Sequence, residues 1–143
     1  MKVSSPTFKN EQKIPKKFTC QGEDINPRLD ICEIPKDAKS LVLIIDDPDA
    51  PAKTFVHWVV YNIPVQKCIK EKSIPGMQGM NHFQKQSYGG PCPPLGIHRY
   101  FFKVYALDNL LSLKEGATKE QVEEAMKGHV LEESVLIGLY QKE

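Results

Sequence analysis

The sequence predicts a mainly β domain of sandwich type, on three observations. Three apolar runs rich in β-branched and aromatic residues stand at 41–45, 55–63 and 97–107. Most of the 11 prolines fall in the stretches between strand-like segments. Helical periodicity is strong in one place only. Short strands divided by proline-rich turns favour two packed sheets over a helical or alternating β/α architecture.

Taken in order, residues 2–5 and 29–34 are weak strand candidates, because their apolar runs are short. Residues 41–45 (LVLII) are continuously apolar and stop at Asp46-Asp47-Pro48, which predicts a strand buried on both faces and a polar loop after it. Residues 55–63 end at Pro64, and residues 97–107 carry Tyr100, Phe101, Phe102, Val104 and Tyr105, so these runs predict the strands beside it. Residues 64–96 lack periodicity but hold glycines, prolines, Asn81, His82, Tyr88 and Cys92; loops of this length in a compact domain carry function or are disordered. A helix begins at Thr118, whose spacing to Gln121 is that of a capping box; Val122, Ala125 and Met126 share one face and Gly128 is its stop. Residues 129–140 are a last weak strand candidate.

The length of 143 residues suits one domain, 1–143. Lysine and arginine number 19 against 18 aspartates and glutamates, without a basic cluster, so a nucleic-acid partner is not expected. The first residues lack the apolar core of a signal peptide, and no stretch approaches the roughly 20 apolar residues of a membrane span. The expectation is a soluble, cytoplasmic protein. Cys20, Cys32, Cys68 and Cys92 form no C-x-x-C pair; without a secretion signal they are expected to be reduced thiols, although disulfides are open. A catalytic role for Cys92 is a lesser alternative.

Chemistry concentrates at three strand mouths. Asp47 and Asp49 leave the 41–45 run on a loop stiffened by Pro48 and Pro51; His57 lies just inside the next run; His98 and Arg99 open the third, after a glycine- and proline-rich stretch. Side by side, these ends would let carboxylates orient imidazoles, and glycine backbone N–H groups face an anion. Each piece alone has a plainer structural explanation: Asp-Pro-Asp as a turn opener, His57 as a core histidine, Gly-Gly-Pro as a bend, Arg99 as an ion-pair partner of a loop aspartate.

Together the blocks DDPDAP, FVHWVVYNIP, YGGPCPP, GIHRYFFKVYALD and ATKEQVEEAMKGHVL resemble the phosphatidylethanolamine-binding and Raf-kinase-inhibitor-like family, in its compact bacterial and archaeal branch. The resemblance implies a two-sheet, antiparallel, Greek-key-like sandwich with one or two short helices. It also implies a pocket for a small phosphate-like anion or phospholipid headgroup. Carried over by position, Asp47, His57 and His98 are similar to the family's pocket residues. Tyr88, Gly90, Pro93 and Pro94 match its rim, and Asp49 with Arg99 its loop-bracing pair. The branch implies a homodimer, with a kinase or other enzyme as an optional protein target, and no cofactor or metal. At 79–84, His82 and Gln84 depart from the usual small or acidic residue and glycine. The extended C-terminal segment of the animal members is absent after Tyr140, so recognition through it is not expected. The alternative is a hydrolase, or a metal site, using Asp47, His57 and His98. No nucleophile motif and no short metal-ligand spacing supports it.

Overall fold

The computed structural model describes residues 1–143. In chain order it forms β1 (Lys2–Ser4), β2 (Gln12–Lys13), a single 3-10 turn (Lys16–Phe18), β3 (Leu29–Cys32), β4 (Ser40–Asp47), β5 (Phe55–Ile63), β6 (Cys68–Ile69), β7 (Met77–Gln78), β8 (His98–Leu107), α1 (Lys119–Met126) and β9 (Val130–Tyr140). The strands make a three-stranded sheet, β1-β3-β6, and a six-stranded sheet, β2-β9-β8-β4-β5-β7.

Every residue of β4 is buried, as its unbroken apolar run requires. Its side chains alternate between two cores, as the period of two dictates. Leu41, Leu43 and Ile45 enter the cluster that includes Val3, Leu29, Ile31 and Ile69 of the small sheet. Val42 and Ile44 enter a second cluster under α1, with Val122 and Met126. Each such side chain removed from water contributes about 1.5–3 kcal/mol. The capping box at Thr118 forms, with Gln121 N–H donating to Thr118 Oγ1 at 3.1 Å, and Gly128 takes φ +80° beyond the helix end.

Two expectations are corrected. The large sheet is mixed rather than purely antiparallel, because β2 lies parallel to β9, with Gln12 opposite Gly138 and Lys13 opposite Leu139. β2 arrives from the far end of the chain and not through a hairpin, so its direction is free. Gly138 lets it close, since a Cβ there would stand 2.4 Å from Ile14 Cγ1. Second, Cys20 and Cys92 are joined in a disulfide across a sequence separation of 72, with Cα atoms 5.4 Å apart; Cys32 and Cys68 remain free thiols. Neighbourhood in space, which sequence spacing does not reveal, overrides the expectation of four reduced thiols, and it occupies the Cys92 sulfur. No helix is long and apolar enough to cross a membrane.

Candidate functional site

β4 runs antiparallel to both of its neighbours, so its C-terminal end lies beside the starts of β5 and β8. Asp47 is therefore next to the strand mouths that carry His57 and His98. Asp47, His98 and Tyr100 continue the inward-facing alternation of Leu43, Ile45 and Phe102. His57 reaches the same place by a β-bulge. Ile45 pairs with Trp58 while Asp46 pairs with Val56, which leaves His57 as the extra residue. A bulge releases a side chain from strict alternation, and the His57 ring stands 5.2 Å from that of Tyr100, edge to face.

The result is a cleft of about 340 Å³ lined by Asp47, His57, Pro93, Pro94 and His98 among the expected residues, and also by Ala50, Pro51, Phe55, Phe83, Cys92 and Tyr100. Asp47 and His98, both buried, share a 2.6 Å hydrogen bond between Oδ2 and Nδ1, and His98 Nε2 lies 3.2 Å from the Leu95 carbonyl. Both ring nitrogens of His98 thus face acceptor oxygens. Asp47 Oδ1 also accepts from Asp49 N–H at 2.8 Å, which holds the carboxylate on its loop.

His57 is in a different setting. Burial disfavours its charged form and lowers its pKa, against the weaker raising effects of the Gly89 carbonyl and Asp47. Its Nδ1 stands 2.7 Å from the Gly89 carbonyl, so that nitrogen carries the proton and Nε2 is left as an acceptor. Tyr100 is the group that residue patterns alone did not single out. It is buried, its hydroxyl faces the Cys92 backbone amide too loosely to bond, and the oxygen has no partner in the protein. Burial, with Asp47 adding to it, pushes its pKa far up, so it stays a donor. Its place in the inward alternation two residues after His98 was the available signal.

Asp49 and Arg99 form a pair: Asp49 Oδ2 accepts from Arg99 N and Nε, both at 2.9 Å, and Oδ1 from Nη2 at 2.8 Å. The Arg99 hydrogen bonds hold the Asp49 carboxyl down to about 2. Tyr88 and Gly90 are corrected, because they stand behind the wall and not in the cleft. The Tyr88 hydroxyl donates to the Phe18 carbonyl at 2.7 Å, and its ring packs edge-on against Trp58. Gly90 N–H donates to Asp24 Oδ1 at 2.8 Å, and a Cβ at Gly90 would stand 2.3 Å from the Phe18 carbonyl oxygen. That glycine serves close packing rather than an anion.

The residues at 79–84 shape the rim. Asn81 is a buried hub: its Oδ1 accepts from Phe83 N and Lys85 N, and its Nδ2 donates to Ser87 O. His82 Nδ1 accepts from Val56 N, beside the bulge. Gln84 takes φ +63°, the left-handed conformation a glycine would adopt there. Phe83 thereby reaches the cleft, 4.8 Å from Phe55 and 5.4 Å from His57 between ring centroids. No group of three or more His, Cys, Asp or Glu side chains is placed to hold a metal ion, since Asp47 and His98 turn their polar atoms on each other.

A family model described as phosphatidylethanolamine-binding protein matches residues 4–141. A UPF0098 protein of Methanothermobacter thermautotrophicus is 48% identical, with 99% of each chain covered. One from Pyrococcus abyssi is 49% identical over 99% of this chain and 85% of its own. Among solved structures, a phosphatidylethanolamine-binding protein homologue from Chlamydia trachomatis superposes with a TM-score of 0.96 at 44% identity, covering 99% of this chain and 97% of that one. YbcL of E. coli, described as a member of the mammalian family, gives 0.91 at 24% identity over 99% and 98%, a likeness of fold alone.

Proposed function

The chain belongs to the phosphatidylethanolamine-binding protein family, and from that premise we propose that its cleft binds the monoanion of a phosphate ester, free or as a lipid headgroup. The observation that carries this is the Tyr100 hydroxyl, a buried donor without a partner on a residue that lines the cleft, whose one carboxylate is already paired with His98. A buried hydroxyl without a partner costs about 1–3 kcal/mol, which a ligand oxygen accepting its hydrogen bond would remove. His98 Nε2, 3.2 Å from the Leu95 carbonyl, offers a second donor to a ligand oxygen when it carries a proton. His57 Nε2 is an acceptor and matches a ligand P–OH, which selects the singly ionised ester. Apolar Phe55, Phe83, Pro93 and Pro94 dry the site and strengthen those contacts.

The test is calorimetric titration with phosphoethanolamine. Tyr100→Phe should weaken binding by about tenfold or more, the worth of a hydrogen bond to a charged group, and His98→Ala should also weaken it. Phosphate esters lose their second proton near pH 6, so affinity should fall as pH rises from about 5.5 to 8. Sulfate, which carries no proton in that range, should bind weakly throughout. Unchanged affinity in a folded Tyr100→Phe protein would sink the proposal. We take the cleft as a binding site without turnover, so incubation with para-nitrophenyl phosphate should release no nitrophenol above the rate in buffer. Modulation of a kinase or another enzyme is proposed as a consequence of occupancy, tested by whether phosphoethanolamine changes inhibition in an assay of the target.

A further inference from the structure

The cleft wall from Pro91 to Ile97 is poorly held by its backbone. Pro91, Pro93 and Pro94 have no N–H to donate. Its backbone ties to the rest of the protein are the Pro91 carbonyl, which accepts from Cys20 N at 3.1 Å, and the Leu95 carbonyl, which meets His98 Nε2. The firm attachment is covalent: Cys92, in the middle of the wall, is bonded to Cys20. Cys20 stands on the segment that braces the inner wall, since Phe18 and Asp24 accept the bonds from Tyr88 and Gly90. That segment is itself anchored, with Gln21 Oε1 accepting from the Tyr140 hydroxyl at 2.6 Å. Cys20 is exposed and Cys92 half-buried, so an external thiolate can reach the bond.

We propose that the Cys20–Cys92 disulfide is a reducible clamp on the cleft, opened by a dithiol reductant. A thiolate of the reductant attacks the exposed Cys20 sulfur, the S–S bond breaks, and Cys92 leaves as a thiolate and takes a proton. The second thiol of the reductant then attacks the mixed disulfide and releases Cys20 as a thiol. The protein gains two electrons and two protons, and the dithiol becomes a disulfide. Once free, Cys92 no longer places Pro93 and Pro94 against the cleft or its amide beside the Tyr100 hydroxyl. Ligand then binds only the fraction of molecules with the wall in place.

The binding arm of the test rests on the phosphate reading above, and the dynamic arm does not. Intact protein is compared before and after dithiothreitol, by NMR and by calorimetric titration with inorganic phosphate. Backbone order parameters of Cys92, Leu95, Gly96 and Ile97 should fall below about 0.6 on reduction while those of β4 and β8 stay near 0.85. Phosphate affinity should drop by about fivefold as the ordered fraction shrinks, and recover on reoxidation. Cys92→Ser should match the reduced protein and ignore dithiothreitol. If neither form binds phosphate, the phosphate reading falls and the order parameters alone decide the clamp. Order parameters unchanged by reduction, or equal phosphate affinity in both states of a phosphate-binding protein, would overturn it.

Discussion

At His57 burial works against charge, and the consequence is a dependence of stability on pH. The unfolded imidazole binds its proton near pH 6.5, whereas the folded one, desolvated, does so only at lower pH. Between those values the unfolded chain holds the extra proton, so stability is complete above about 6.5 and is lost as pH falls toward the lowered value. His82, also lowered by burial, acts in the same direction. The urea midpoint should therefore fall between pH 7 and 5.5, and His57→Gln should show a shallower fall, with His82 accounting for what remains. An equal slope in the variant would refute the assignment. Asp49 has the opposite sign: its carboxyl is held at about 2 by Arg99, so its contribution is present above the ordinary value of 3.8 and is lost only below it. Arg99→Lys keeps the charge but not the two-pronged contact. It should cost under about 1 kcal/mol of stability, because the pair is partly exposed. It should also weaken phosphoethanolamine binding measurably, by loosening the loop that follows Asp47.

The elements hold the site through two small devices. One is the bulge in β5, which turns His57 inward; the other is the start of α1. Lys119, its first residue, shares the buried Asp46 carboxylate with Lys103, at 3.0 and 2.9 Å. The capping box thus fixes both the helix and the cation that helps neutralise a carboxylate on the outer face of β4. Thr118→Ala should lower unfolding stability by about 1 kcal/mol in urea titrations. Gly138→Ala should cost more, about 1–3 kcal/mol, because the added methyl meets Ile14 and Phe8 where β2 closes on β9. The capping box was plain in the sequence, since both partners lie within one turn. The bulge was not, because it exists only as a mismatch of register between two strands.

For the whole molecule, the disulfide joins the N-terminal segment to the cleft wall across 72 residues. By loop-closure entropy, reduction should lower stability by about 4 kcal/mol, read as a fall in the urea midpoint of the reduced protein. A midpoint unmoved by reduction would show that the clamp adds no stability. By itself the sequence determined the long strands β4, β5 and β8 and the helix with both of its ends, and it marked Asp47, His57 and His98 as residues at three strand mouths. Alternation, capping and apolar runs are local, whereas the pairing of β8 with β4 that brings the mouths together joins segments about 50 residues apart. Only the tertiary structure decided the parallel pairing of β2, the Cys20–Cys92 bond, the retreat of Tyr88 and Gly90 behind the wall, and the unpartnered hydroxyl of Tyr100. Each of these depends on which distant segment fills a given space, and that is settled by packing over the whole chain, to which residue spacing is blind.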